Sequence, residues 1–326
     1  MSALTFGLFS DLHLDIMQDG GERLETFLAD CLERKVDFVI SAGDFTYPRD
    51  TGRCDCPPRQ LPVNLKNAMV CPSPVPKSRI LARYAGFPLP HYHTLGNHEM
   101  DFCTKEEAVE LLRMPGRYYD FIAKGWHVLV LDTNHYRDRE GNLCGYCRGD
   151  YFARPRGHWL DGEQLAWLEE RLRACPEPAV LVSHHPLYPR LSGSGLQNYD
   201  AFRRVLRAAG GWVRMCIYGH CHIDEYAWRD GVLHYCINSI SNHWAGESYA
   251  CRRFDPDTEE RFPNLRYTFP YRGPVYAVVT LDESGAHIRG RRSSFVPPGP
   301  EELNYTAAKV TAAVEDRDFG WGGGAL

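Results

Sequence analysis

The sequence predicts a mixed α/β domain, and three observations carry that reading. Apolar runs of strand length alternate with amphipathic helical stretches as far as about residue 209, and strand-like runs dominate beyond it. Five of the runs end in Asp, Asn or His, often behind a glycine. No apolar stretch reaches the length that spans a bilayer, so a soluble fold is expected.

In chain order, residues 4–10 form an apolar run that ends in Asp11-Leu12-His13. Leu24, Phe27, Leu28, Cys31 and Leu32 then recur at helical spacing, which predicts a crossover helix. Residues 36–41 are apolar and β-branched and predict a buried strand. Gly43 ends it, and Asp44 follows at the carboxyl end, where open α/β sheets place their ligands. Residues 48–76 hold seven prolines and little periodicity, which predicts a long irregular loop that either narrows a cleft or stands as a solvent-exposed insertion. A short helix over about 78–84 follows. Residues 92–95 lead into Gly96-Asn97-His98-Glu99. Thr104 and Glu107 have capping-box spacing and open a helix toward Leu112. Residues 126–132 read as a strand, and the polar, Gly- and Arg-rich stretch 134–157 as a second long loop. Asp161 starts a helix with Leu165, Leu168 and Leu172 on one face. A strand over 179–183 ends in His184-His185-Pro186. After a helix over 200–209, a strand over 213–218 ends in Gly219-His220-Cys221-His222. From there helices stop. Residues 226–228, 232–238, 276–281 and 287–292 read as mostly antiparallel strands, and the Gly-rich end, 320–324, as flexible. The expected organisation is one domain over 1–296 with a C-terminal extension over 297–326.

The formal net charge of −5 gives no basic footprint, so no nucleic-acid polymer is expected as partner. No basic segment followed by an apolar stretch opens the chain, and many of the 12 cysteines fall inside apparent helices and strands. Both features predict a cytoplasmic protein with free thiols and no membrane partner. Cys144 and Cys147 have the spacing of half a zinc knuckle, but no second matching pair lies nearby.

One polar strand ending is ordinary. Five are hard to explain by packing, because a buried polar group is unfavourable unless it is paired or metal-bound. The ordered set Asp11-x-His13, Gly43-Asp44, Gly96-Asn97-His98-Glu99, the His184 block and Gly219-His220-x-His222 resembles the calcineurin-like metallophosphoesterases. Within that family, it resembles the bacterial cyclic-nucleotide phosphodiesterase-like and nucleotide diphosphatase members. The resemblance implies a four-layer α/β/β/α sandwich of two mixed β-sheets. It implies two divalent or transition metal ions, such as Mn, Fe or Zn, whose types suit Asp, Asn and His donors. Asp11, His13 and His222 would hold the first, Asn97, His184 and His220 the second, and Asp44 would bridge them. His98 would be the general acid on the leaving oxygen, with Asn97 and His98 beside the substrate. The implied reaction is hydrolysis of a small phosphodiester or nucleotide-like substrate by a metal-bridged hydroxide. A phosphomonoesterase of the same mechanism and a catalytically inactive metal-binding scaffold are the alternatives.

Three residues stay open at this point. Glu99 either orients His98, caps the segment after it, or orients the backbone of the metal loops. His185 is a ligand or a residue behind the ligands. Tyr47 stands where the purple acid phosphatase branch has a tyrosine ligand. With His13 already filling the first metal, Tyr47 is expected to hydrogen-bond near the site or contact substrate rather than to be a ligand.

Overall fold

The computed structural model describes residues 2–46, 77–153, 157–191, 195–306, 310–322 and 324–325. Tyr47 and the proline-rich stretch 48–76 lie outside them.

Two sheets carry the fold. The first runs in the order Gly324–Ala325, Arg317–Gly320, Gly285–Gly290, Ala277–Leu281, Leu4–Phe9, Phe38–Ser41 and His91–His93. Its last three strands are parallel and its others antiparallel. The second runs Glu225–Arg229, Val232–Cys236, Val213–Tyr218, Ala179–Val182, Trp126–Val130 and Tyr119–Ala123. Its four central strands are parallel, with one antiparallel strand at each edge.

Side chains alternate along each strand, so each sheet has two apolar faces to cover. Phe6 and Leu8 of the first sheet meet Val128, Val130, Val180, Val182, Met215 and Ile217 of the second, and this forms the central core. The residues of opposite parity face outward. Phe9 and Val39 pack under the helix Gly20–Glu33 through Leu24, Phe27, Leu28 and Cys31. Leu129, Leu181, Cys216 and Tyr218 pack under the helices Gly162–Ala174 and Tyr199–Ala208 through Leu168, Leu172, Phe202 and Val205. The result is the four-layer α/β/β/α sandwich, with helices outside and sheets inside.

The helix Lys105–Leu111 opens on the expected capping box: Thr104 accepts from the Glu107 N–H while Glu107 reaches back to the Thr104 N–H. Asp161 caps Gly162–Ala174 in the same way, by accepting from Gln164.

Three local expectations change. Residues 134–157 are not one long loop, since His135–Arg137 pairs with Leu143–Gly145 as a hairpin, followed by a 3₁₀ turn at Asp150–Ala153. Helices do not stop after His222. Asp255 caps a short helix, Pro256–Arg261, with proline at its start, where a missing N–H costs nothing. The late strands are mostly antiparallel as expected, with Val232–Cys236 parallel to Val213–Tyr218. The Gly-rich end is anchored, because Arg317–Gly320 joins the first sheet and the Trp321 indole donates to the Asp282 carbonyl at 2.8 Å. No helix among the described residues is long and apolar enough to cross a membrane.

Candidate dinuclear metal centre

The five polar strand endings meet where the parallel strands of both sheets end. Backbone bonds hold the loops in register: the Asp11 N–H donates to Gly43 O at 2.9 Å, His13 N–H to Asp44 O at 3.1 Å, and Gly219 N–H to His184 O at 3.0 Å. The sheets are joined at the site itself, where the His220 N–H donates to Asp11 Oδ2 at 3.0 Å.

Two groups of metal-type donors result, one of Asp11, His13 and His222 and one of Asp44, His184 and His220. In the first, His222 Nε2 lies 3.2 Å from Asp11 Oδ1 and 3.2 Å from His13 Nε2. In the second, His184 Nε2 lies 3.1 Å from Asp44 Oδ2, 3.2 Å from Asn97 Oδ1 and 3.2 Å from His220 Nδ1. Asp44 Oδ2 is also 4.0 Å from His13 Nε2, so this carboxylate stands between the groups.

The hydrogen bonds behind these rings set their tautomers. His184 Nδ1 faces the Ala42 carbonyl at 2.8 Å, and His222 Nδ1 faces the Asn242 carbonyl at 2.6 Å. A carbonyl only accepts, so each Nδ1 carries the proton and each neutral Nε2 presents a lone pair to its group. Around His184 Nε2, at most one proton sits on the line to His220 Nδ1. The Asp44 and Asn97 oxygens facing the same nitrogen can only accept. Acceptors outnumber protons at this point, and a cation removes the mismatch. The donor set of carboxylate, amide oxygen and imidazole suits a divalent transition ion. Without one, the geometry draws a proton instead. Burial pushes His184 down, but the Asp44 carboxylate outweighs it and carries the imidazole up to about 10. His13 and His220 go the other way, to about 3, because burial outweighs the neighbouring carboxylates.

Five of these residues have backbone that L-residues rarely adopt. Asp11, His13, Asp44, His220 and His222 have φ of 55°, 49°, 53°, 68° and 51°. Left-handed non-glycine residues each store about 1–3 kcal/mol, and such strain gathers at functional sites. Two glycines make the approach possible. A Cβ at Gly96 would collide with the Asp44 carboxylate, and Gly43, at φ 98°, leaves no room for one beside His184.

Glu99 resolves to the third of its open readings. Its buried carboxylate accepts the N–H groups of Phe45 and Gly96 at 2.6 Å each, Asp44 at 3.1 Å and Thr46 at 3.3 Å. It ties the Asp44 loop to the Asn97 loop and does not touch His98. Burial and the Asp44 charge raise its carboxyl to about 7. The partner of His98 is instead Asp101, whose Oδ2 is 2.6 Å from His98 Nδ1. Burial would depress His98, but Asp101 and Asp44 overcome it and lift the imidazole to about 9. The His98 N–H also donates to Asp44 Oδ1 at 2.9 Å, which sets the ring beside both groups.

His185 belongs to neither group. Its Nδ1 meets Thr133 Oγ1 at 2.9 Å, and its ring stacks on His158 with centroids 3.4 Å apart and planes 16° apart. His158, His185 and His220 also have ligand atoms close together. Lone pairs lie in their ring planes, however, so two stacked rings cannot both point at one ion. The sequence reading missed Asp101, Tyr151, Ser239 and Ser241. Asp101 had a signal, three residues beyond His98 in a tight turn. The two serines, whose hydroxyls donate to the Asp11 carbonyl at 2.9 and 3.0 Å, had none.

The profile of the family described as calcineurin-like phosphoesterase matches residues 4–224, more than half of the chain. The chain belongs to the calcineurin-like phosphoesterases. That family is one of phosphoesterases dependent on two metal ions. It is 24% identical over 185 residues to the manganese-dependent ADP-ribose/CDP-alcohol diphosphatase of Arabidopsis thaliana. That match takes in 45% of this chain and 58% of the relative, so the chain spans less than two thirds of that relative's length. It also shares its fold with a dimetal phosphatase from Danio rerio, with a TM-score of 0.58 and 16% identity over 90% of this chain and 98% of the other.

Proposed function

We propose that this phosphoesterase hydrolyses a small phosphodiester or nucleotide-like substrate, and that it does so in the cytoplasm. The observation that carries the reaction type is the excess of acceptors around His184 Nε2, with the His98 ring held by Asp101 and its backbone N–H on the Asp44 carboxylate. Asp11, His13 and His222 would hold one metal ion and Asn97, His184 and His220 the other, with Asp44 serving both. Bound there, the two ions supply Lewis-acid charge and an activated water. Asp101 accepts the His98 Nδ1 proton and so orients the ring, leaving the Nε2 proton to pass to the leaving oxygen in the role of a general acid. Asn97 and His98 border the substrate. The diphosphatase activity named for the Arabidopsis relative favours a nucleotide-like diphosphate within this class. The net charge of −5 favours small substrates over nucleic-acid polymers. The nine described cysteines are free, which fits a reducing compartment.

The test is apoprotein reloaded with Mn, Fe, Zn or Co and given a panel of aryl monoesters, aryl diesters and nucleoside diphosphate sugars. Diesters or diphosphates are expected to turn over fastest. Faster monoester turnover would select the phosphomonoesterase. No turnover with any of the four metals would select the inactive scaffold.

A further inference from the structure

Tyr151 lies in the 3₁₀ turn Asp150–Ala153, more than fifty residues beyond His98 in the chain, yet its hydroxyl meets both Asn97 and Asp101, the carboxylate that holds the His98 ring. Its hydroxyl donates to Asp101 Oδ1 at 2.5 Å, and Asn97 Nδ2 donates to the same hydroxyl at 3.2 Å. Asp101 Oδ2 in turn meets His98 Nδ1 at 2.6 Å. The order of donors is forced. A tyrosine hydroxyl has one proton, and a carboxylate can only accept it. The hydroxyl oxygen is therefore left as an acceptor for the Asn97 amide. With its NH₂ committed there, Asn97 turns its carbonyl oxygen toward His184 Nε2, where a metal donor is needed.

We propose that Tyr151 is a positioning residue that acts on both halves of the site at once. It holds the Asn97 amide in the orientation that presents oxygen to the second metal, and it fixes the Asp101 carboxylate that orients the His98 ring. This inference rests on the ligand and acid roles proposed above. Removing the hydroxyl leaves the amide free to turn its NH₂ toward the metal position. It also leaves Asp101 one hydrogen bond short.

The loop that carries Tyr151 is built to place it. The Gly149 N–H donates to Met100 O at 2.8 Å and the Arg148 N–H to Cys103 O at 3.0 Å, which fastens the loop to the His98 turn. The Tyr151 ring stacks on Tyr146, with centroids 4.1 Å apart and planes 9° apart. Tyr146 supplies an internal control, because its own hydroxyl points elsewhere, to His158 Nδ1 at 3.1 Å. Tyr151→Phe and Tyr146→Phe therefore each remove one hydroxyl from the same stack, and only the first touches the site.

The experiment measures two quantities on wild type and both variants. One is the affinity of each Mn²⁺ equivalent for apoprotein, by titration calorimetry. The other is the dependence of kcat on leaving-group basicity across aryl phosphodiesters. Tyr151→Phe is expected to weaken one Mn²⁺ equivalent about 10-fold or more and leave the other unchanged, within the range typical of residues behind metal ligands. It is expected to slow a phenol leaving group about 10-fold more than 4-nitrophenol, because a poorer leaving group depends more on the acid. Tyr146→Phe should do neither. Wild-type Mn²⁺ affinity or wild-type leaving-group dependence in Tyr151→Phe would overturn the proposal. So would the same two changes in Tyr146→Phe, since loosening of the loop would then explain both. Wild-type protein that binds two Mn²⁺ but hydrolyses no ester would sink the proposed function, while the affinity shift would still decide the role of Tyr151.

Discussion

The two donor groups face each other across Asp44 but are held by different means. In the group of Asp11, His13 and His222, all three residues have left-handed backbone. Each of its supports joins a side chain to main chain: the Ser239 and Ser241 hydroxyls grip the Asp11 carbonyl, and the Asn242 carbonyl grips the His222 ring. In the second group Asp44 and His220 share that backbone, while Asn97 and His184 do not. Side chains hold the Asn97 loop instead, through the Glu99 clamp and the Tyr151 contact. The difference teaches where each group is vulnerable. The first is carried by loop conformation, which a substitution changes together with stability. The second is carried by side chains, which can be changed one at a time.

Asp44 is common to both groups, so its loss has the largest expected effect. Asp44→Asn removes the charge shared by two cations and should abolish both metal occupancy and turnover. Metal analysis of the purified variant decides this, and normal metal content would mean that the groups do not depend on Asp44. His98→Ala separates chemistry from metal binding. It should keep both metals and lower kcat by about 10²–10⁴-fold, the usual worth of a general acid. Metal loss in that variant would mean that the imidazole is a ligand.

Smaller effects sharpen the contrast between the groups. Ser239→Ala should weaken only one of the two metal equivalents, and Glu99→Gln should weaken the other more, each within about 10–100-fold. Glutamine offers one acceptor oxygen where four N–H groups converge, and its NH₂ faces donors. Metal titration of the two variants side by side is the measurement. If both weaken the same equivalent, the groups are not supported separately.

The smallest effect lies outside both groups. His234 is buried beside the Tyr218 hydroxyl, and burial lowers its imidazole to about 4. In the unfolded chain the same group titrates near 6.5. A depressed histidine leaves stability whole above 6.5, and the stability is lost as pH falls toward 4, because the unfolded chain takes the proton first. Between pH 7 and pH 5 this one group should remove about 2 kcal/mol, at about 1.4 kcal/mol per pK unit. Urea unfolding of the apoprotein and of His234→Gln measures it. An equal drop in the two proteins would exclude His234 as the source.

Most of the fold was legible because its signals are local. The capping box at Thr104, the Asp161 cap and the helical spacing around Phe27 each lie within a few residues. The hairpin over 135–145 was missed because its strands are only three residues each, too short to show a period. The helix Pro256–Arg261 was missed because its polar sequence buries almost no apolar face.

The sequence by itself determined which residues are offered as ligands. An apolar strand followed by a tight turn delivers the next polar residue to the carboxyl edge of a parallel sheet, and five such endings in order identified the family. Only the tertiary structure decided how those residues are made to work. The tautomers of His184 and His222 depend on the carbonyls of Ala42, 142 residues away, and Asn242, 20 residues away. The orientation of Asn97 depends on Tyr151, and the fixing of Asp11 on serines 228 and 230 residues beyond it. Hydrogen bonds of this kind leave no periodicity, because any donor that folding brings within about 3 Å will serve.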